Sequence, residues 1–308
     1  MATLPTDALA VTSSARSPML RDAAGLTLPA GDGVASSCPA CAAANARAPQ
    51  TSLSAFVYAV GSIEPRFPKP SIEKEMAQAI GRAETARLTD REALRKVLED
   101  RQNRYLVRQL CWVLTIENLE SYIVVPRDPA DYDLLVQSLR SSPSGRDLDA
   151  VIGLRGPLAS PDLCNGLTLP ILIFDTLYCF DKASFLEAIP KSEGMAAKEF
   201  SAAAGQLFDL MMQKNDGCGG SDNDRALNYL ALRYPAIYAA AAKALSGNSA
   251  PSGVRTQVSP LCGGRKIMDV IFSFTHRTTD ITEKQMARVD VTDEFPFLAT
   301  KLSPYYDR

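Results

Sequence analysis

Residues 268–275 read Met-Asp-Val-Ile-Phe-Ser-Phe-Thr, with a large apolar side chain at every second position. A second run, residues 288–292 (Arg-Val-Asp-Val-Thr), alternates in the same way. A period of two places successive side chains on opposite faces of a strand, so each run predicts a strand with one face buried. The polar segment 277–284 between them predicts an antiparallel hairpin whose connection is longer than a tight turn.

Apolar runs towards the N-terminus predict further strands, the first of them closed by a turn at residues 64–68. These runs lie at residues 56–60, 110–116, 122–125, 148–154 and 169–174. Helices interrupt them, so the order is mixed and does not follow a regular βαβ alternation. The sequence therefore predicts an α+β fold with a mixed, partly antiparallel sheet and helices clustered in the middle of the chain.

Capping residues predict where these helices begin. We expect Ser71 to cap the first helix, Thr89 with Glu92 to form a capping box on the second, and Asp181 to cap a short one. The dipeptide Asp128-Pro129 places a cap and an N1 proline in their preferred order. Two longer helices are expected at 196–213 and 222–245, with Asp222 as a cap and Pro235 kinking or splitting the second.

Composition changes sharply near residue 53. Residues 1–52 are rich in Ala, Ser, Thr, Pro and Gly and hold no aromatic residue. Such a segment buries too little apolar surface to offset its ordering entropy, so we expect it to be disordered or a linker. Residues 53–308 show no linker and no internal repeat, which predicts a single domain.

Charge excludes two classes of partner. The chain holds 33 Lys+Arg and 35 Asp+Glu, a net charge of -2. We therefore expect no nucleic-acid partner, because that class needs a basic patch, and no binding to anionic membranes. No apolar run approaches the roughly 20 residues needed to cross a bilayer, and the N-terminus does not resemble a signal peptide. These features predict a cytoplasmic protein with reduced thiols, and its seven cysteines argue against a complete disulfide framework.

Catalytic signatures are missing from the sequence. His276 is the only histidine, which excludes zinc-protease and facial-triad iron motifs, and we expect it to end a strand without a catalytic role. No phosphate-binding glycine motif occurs, so no nucleotide cofactor is expected. An acidic pair brought together by the fold remains open as an acid–base catalyst, with Asp175 and Asp181 as candidates.

The segment Cys38-Pro-Ala-Cys41 has the spacing of a zinc knuckle. Two thiolates on one tight turn supply half of a tetrahedral site, so we expect zinc bound through Cys38 and Cys41. The other ligands would come from the remaining cysteines, His276 or a second subunit. Two alternatives stay open: a pair of free thiols, and a redox-active CxxC, although the expected thioredoxin-like strand is absent.

Six stretches together resemble the C-terminal domain of unknown function of PatG-type and PatA-type cyanobactin maturation proteases. They are residues 56–68 (FVYAVGSIEPRFP), 103–114 (NRYLVRQLCWVL), 126–130 (PRDPA), 225–230 (RALNYL), 295–297 (FPF) and 303–308 (SPYYDR). The resemblance covers about residues 53–308. The family's protease serine, histidine and aspartate have no counterparts here, so it implies no protease activity. It implies a role in the biosynthesis of ribosomally made, post-translationally modified peptides.

Charged residues within or beside these stretches are candidates for a carboxylate-binding site, since the planar fork of arginine suits carboxylates. The alternative is a structural ion-pair network between the first strand and the helices. The candidates are Glu64, Arg66, Glu73, Arg82, Glu84, Arg104 and Arg108.

Two functions follow from these observations. We expect a non-catalytic binding or scaffolding module that recognises a precursor peptide or a modifying enzyme. The alternative is an enzyme of unrecognised type acting on such peptides. The aromatic tail, residues 295–306, predicts a homodimer, unless that tail folds back onto its own sheet.

Overall fold

The structure is a computed structural model that describes residues 55–83, 85, 87–191, 197–214, 218–261 and 263–307. The predicted disordered segment and the CxxC pair lie outside the described residues, as does Glu84. Residues 51–308 form one compact unit. Among the described residues, no helix is both long enough and apolar enough to cross a membrane.

Five strands close into a barrel in the order β1-β2-β3-β5-β4. All neighbouring pairs are antiparallel except β3 with β5, which is parallel. Each strand of this barrel therefore has two neighbouring strands. The strands are β1 (Phe56–Arg66), β2 (Cys111–Ile116), β3 (Leu119–Pro126), β4 (Asp147–Leu158) and β5 (Pro170–Asp181).

The first strand runs further than the sequence predicted. Residues 64–66 were expected to form a turn, but β1 continues through Pro65, which pairs with Trp112 of β2. In the ladder, β1 pairs with β4 along residues 56–61 and with β2 along residues 62–66. A proline is tolerated at position 65 because the strand has a single neighbour there.

Four helices pack on the barrel and share its core. They are α1 (Pro70–Arg82), α2 (Asp90–Glu99), α3 (Arg104–Gln109) and α4 (Tyr132–Ser138). The predicted capping box of Thr89 and Glu92 is confirmed. The predicted Ser71 cap is wrong, because Lys69 is the N-cap and Pro70 opens the helix. Asp128 caps a short 3-10 turn, residues 129–131, which precedes α4.

The second half of the unit joins helices to an open antiparallel sheet of order β6-β7-β8-β9. Residues 267–276 and 282–290 form the predicted hairpin, which is confirmed. The predicted cap of Asp181 is also confirmed. The predicted split at Pro235 separates the helix that ends at Arg233 from the helix that begins at Ala236. The elements are α5 (Lys182–Ala188), α6 (Ala197–Lys214), α7 (Asp222–Arg233), α8 (Ala236–Ser246), β6 (Ser249–Val258), β7 (Ile267–His276), β8 (Thr282–Asp290) and β9 (Phe297–Pro304). The α+β prediction is confirmed.

Two of these strands were not expected from the sequence. Strand β6 holds Pro251 and Gly253 at an irregularity of its pairing with β7, which weakened its signal. Strand β9 is the C-terminal segment itself, which pairs with β8. The tail therefore folds back onto its own sheet, the alternative to its use as an interface.

Alternation along β1 connects the two halves. Val57 and Ala59 point into the core that the barrel shares with α1–α4. Tyr58 and Val60 belong to a different cluster, packed against Met212 of α6 and residues of α7. The opposite face of these helices packs on the four-stranded sheet. A helical layer thus lies between the barrel and the sheet, and each layer buries its apolar face against the next.

One disulfide corrects the expectation of reduced thiols. Cys111 of β2 is bonded to Cys164, 53 positions later, with Cα atoms 5.6 Å apart. We expected Cys111 to be a small buried side chain, and it is buried, but it is oxidised. The reason lies in the tertiary structure, which brings two sequence-distant cysteines within the Cα separation that a disulfide needs.

Candidate functional site

The sequence-predicted charged residues form separate ion pairs. Glu64 pairs with Arg91 of α2 at 2.6 Å, and this links β1 to the second helix. Arg66 pairs with Glu120 of β3. The structure therefore does not join Glu64 to Arg66, because Glu64 pairs with a residue of α2 and Arg66 with a residue of β3.

The remaining candidates lie on the helices. Arg104 pairs with Asp133 of α4, and Arg108 is exposed on α3. Arg82 is the last residue of α1, and Glu84 lies outside the described residues. Among the described side chains these ion pairs do not join the candidates into one network, and a carboxylate-binding role for the set stays a prediction.

Two of the flagged residues do meet, at a surface cavity of about 560 Å³. Arg66 and Glu73 line it together with Glu120, from three different elements. The rest of the lining is Pro65, Phe67, Cys164, Asn165 and Leu167. We call this the strap cavity.

One wall of the strap cavity is a loop, residues 159–169, which we call the strap. It crosses the outer face of the barrel, where Ala159 and Cys164 pack on Cys111, Val113 and Ile123. At its base the Ala159 amide donates to the Leu169 carbonyl at 2.8 Å. Sequence reasoning missed the strap because its few apolar residues follow no strand or helix period.

The charge balance of the strap cavity leaves a carboxylate available. Arg66 and Glu120 neutralise each other across the lining. Glu73 is exposed on the first turn of α1, and no ion pair of Glu73 is formed with another described side chain. The cavity therefore presents one negative group beside the apolar surfaces of Phe67 and Leu167, which suits an occupant with a cationic and an apolar part.

A second cluster holds two carboxyl groups that share their surroundings. Arg127, just after β3, contacts Asp175 at 2.7 Å and Glu294 at 3.4 Å. Burial, the hydrogen bond that the protonated Glu294 carboxyl donates to Asp175, and the negative charge of Asp175 raise the pKa of Glu294 to about 7. Burial and the charges of Asp128 and Asp175 raise the pKa of Asp131. Asp175 was a candidate from sequence; Glu294 was missed, because only the β8–β9 connection brings it there.

The histidine expected to end a strand is the last residue of β7, as predicted. Its Nδ1 contacts the hydroxyls of Thr278 and Thr279 at 3.2 and 3.0 Å. A cavity of about 470 Å³ includes His276, Glu283 and Ser249, and no cysteine or serine side chain among the described residues forms a hydrogen bond with the ring. No group of three or more metal-ligating side chains forms among the residues the structure describes.

Arg225, from the RALNYL stretch, joins the layers of the fold. Its side chain is 0% exposed and donates to the carbonyl oxygens of Val291 at 2.7 Å, Asp293, and Glu294 at 3.3 Å. One turn later, Asn228 donates to the carbonyl of Tyr58 in β1 at 2.6 Å. The contacts of this stretch are therefore structural. Helix α7 is hydrogen-bonded to the barrel through Asn228 and to the β8–β9 connection through Arg225.

The loop before α7 was expected to end at an Asp222 cap. Instead Ser221 is the N-cap, in a reciprocal capping box with Asp224. Gly219 has a φ of +57°, and the carbonyl of Gly219 accepts from the Tyr58 amide at 2.9 Å. The described end of the glycine-rich loop thus packs on β1.

Comparison with known proteins agrees with this architecture. Residues 56–157 match the family model described as PatG Domain, and residues 194–305 match the one described as PatG C-terminal. A solved structure described as "PatG Domain of Unknown Function" aligns with a TM-score of 0.66 at 18% identity, covering 82% of this chain and 99% of that chain. No curated protein matches the chain.

The fold is thus an α+β arrangement of a five-stranded barrel, a helical layer and a four-stranded sheet. Through most of its described residues the chain resembles PatG-type domains, which confirms the resemblance found in the sequence. The first match ends within β4, and β5 lies between the two matched segments although it closes the barrel.

Proposed function

We propose that this chain is a non-catalytic binding or scaffolding module in the biosynthesis of ribosomally made, post-translationally modified, cyanobactin-like peptides. It acts in the cytoplasm and recognises a precursor peptide or the enzyme that modifies it. The strap cavity carries the proposal, because it gathers Arg66, Glu73 and Glu120 from three elements beside an apolar wall.

The chemistry of the lining suggests how a peptide is held. A lysine or arginine of the peptide pairs with Glu73, while an adjacent apolar side chain contacts Phe67 and Leu167. Most of the affinity comes from the apolar contact, because an exposed ion pair contributes only about 0.2–1 kcal/mol. The ion pair sets which peptide is chosen and how it is oriented.

Fluorescence anisotropy with a fluorescein-labelled precursor peptide tests the proposal. We expect saturable binding that weakens about two- to fivefold in Glu73→Gln, the size of one exposed ion pair. Glu99→Gln is the matched control, since Glu99 is an exposed helical glutamate paired with Arg95 away from the cavity. Equal binding by wild type, Glu73→Gln and Glu99→Gln would remove the cavity from the proposal.

A second candidate, an enzyme of unrecognised type, is favoured by the carboxyl pair of Asp175 and Glu294. A carboxyl group with a pKa near 7 suits acid–base catalysis near neutral pH. Mass spectrometry of the precursor peptide after incubation separates the two functions. A mass change that Glu294→Gln abolishes supports the enzyme, whereas binding with unchanged mass supports the module.

We further propose zinc at the CxxC pair and a two-fold dimer. The disulfide removes Cys111 and Cys164 from the pool of further ligands, and the Cys179 thiol is hydrogen-bonded to Asp149. A second CxxC from a symmetric partner then completes a four-thiolate site most simply.

A further inference from the structure

We propose that the Cys111–Cys164 disulfide is a redox control of the strap cavity: its reduction releases the strap and weakens peptide binding. The inference rests on the proposed function, since it concerns regulation of the same cavity. It starts from the position of the bond, which joins the strap to the barrel wall beneath it.

The strap has few other attachments to the barrel. Three backbone hydrogen bonds run within the loop, donated by the amides of Leu163, Gly166 and Leu167 to the carbonyls of Ser160, Pro161 and Cys164. Only two residues of the strap, Ala159 and Cys164, are buried in the apolar cluster beneath it, and Leu167 and Leu169 are partly buried there. Segments with few buried contacts open locally at low free-energy cost, so the covalent bond is the main restraint on this one.

Release of the strap changes the cavity directly. Cys164, Asn165 and Leu167 form the strap side of the lining, opposite Arg66 and Glu73. With the bond intact, both walls are fixed before a peptide arrives. Without it, the peptide must also order the loop, and the ordering cost is subtracted from its affinity.

The bond is positioned for thiol exchange. Cys164 belongs to the cavity lining but is only 3% exposed, so a small dithiol in the cavity reaches the bond when the strap opens locally. One thiolate of the dithiol attacks the Cys164 sulfur and forms a mixed disulfide, which expels Cys111 as a thiolate. The second thiol of the reductant then displaces Cys164, so the reductant becomes a cyclic disulfide and two protons end on the two cysteines. Disulfides in reducing compartments are usually transient or redox-sensing, which matches a switch better than a permanent cross-link.

The test compares the full chain with and without dithiothreitol, after mass spectrometry has verified that the bond is intact or broken. Hydrogen exchange is measured for the amides of Leu163, Gly166 and Leu167. Binding is measured by anisotropy with a short fluorescein-labelled peptide that carries one lysine flanked by leucines. We expect faster exchange in the strap and a Kd about tenfold weaker in the reduced form.

Variants separate the strap bond from other thiols. A protein with Cys111→Ser and Cys164→Ser is expected to bind like the reduced wild type in both buffers. Cys179→Ser, which leaves the bond intact, is expected to keep the full response. Circular dichroism checks folding, and the wild type in dithiothreitol supplies a reduced protein without any substitution.

The outcomes distinguish the two proposals. Unchanged strap exchange after reduction, or faster exchange with unchanged Kd, overturns redox control while peptide binding stands. Loss of peptide binding in both redox states overturns the proposed function, and the exchange data then decide by themselves whether the bond holds the strap.

Discussion

Replacing Arg225 by methionine removes the contacts that join α7 to the β8–β9 connection. Arg225→Met keeps a long unbranched side chain of similar reach, so packing changes little while the guanidinium is lost. The carbonyls of Val291, Asp293 and Glu294 then lose their donor in a buried site. The contact of the guanidinium with the Phe56 ring, 5.3 Å from its centroid, is lost as well.

The expected loss of stability follows from these contacts. A hydrogen bond to a charged group contributes about 1.5–3 kcal/mol to stability. The sum of three such bonds overestimates the net contribution of Arg225, because burying the guanidinium itself costs free energy. Removing one partner of a buried charged arrangement typically destabilises by about 3–5 kcal/mol. We therefore expect Arg225→Met to lower the free energy of unfolding by about 3–5 kcal/mol and Tm by about 6–20 °C.

Urea denaturation followed by circular dichroism measures this change, with Arg95→Met as the control. Arg95 makes an exposed pair with Glu99 one helical turn away, so its replacement should change stability by less than about 0.5 kcal/mol. If Arg225→Met loses less than about 1 kcal/mol, the buried guanidinium does not hold the two layers together and the reasoning fails.

Four further predictions concern the loop glycine, the carboxyl pair and the N-terminal segment. Gly219→Ala should lower the free energy of unfolding by about 2–4 kcal/mol, because φ is positive and a Cβ would lie 2.4 Å from the Tyr58 carbonyl oxygen. Gly81→Ala is the control: a Cβ there meets open space, so this variant should be neutral or stabilising in the same thermal melts. Glu294 holds its proton more tightly in the folded than in the unfolded protein. Its contribution to the free energy of unfolding is therefore present below about pH 4.5 and lost as the pH rises through about 7. Tm should fall over that window in the wild type and fall less in Glu294→Gln. Metal analysis should find zinc in wild type and lose it when both CxxC cysteines become serine; equal zinc in both proteins would end that proposal. Sedimentation velocity should show a dimer that a chelator dissociates, and a single species near 33 kDa without chelator would rule it out.

Local sequence patterns predicted elements well where the signal is local. The alternating run at 268–275 is strand β7, and the Thr89 capping box is present as expected. These features depend on residues within a few positions of one another, so propensity and periodicity are sufficient. The same holds for Pro235, whose lack of an amide hydrogen ends one helix and permits the next.

The candidate site was predictable only in part. Arg66 and Glu73 were flagged as charged residues in family-like stretches, and both line the strap cavity. Glu120, which pairs with Arg66, and the strap residue Asn165 gave no sequence signal, because an exposed polar side chain looks the same whether or not a cavity forms beside it. Glu294 was equally hidden, since burial in the tertiary structure and Asp175, more than a hundred positions away, together raise its pKa.

The sequence by itself determined the α+β class, the hairpin and the absence of recognisable catalytic motifs, because these follow from local periodicity and composition. The tertiary structure decided the rest. Closure of β1 against both β2 and β4 makes a barrel out of strands that the sequence predicted only as members of a mixed, partly antiparallel sheet. The same closure brings β2 beneath the strap, so that Cys111 and Cys164 meet. Long-range pairing of this kind is set by the summed burial of many side chains, and no single stretch of the sequence carries that sum.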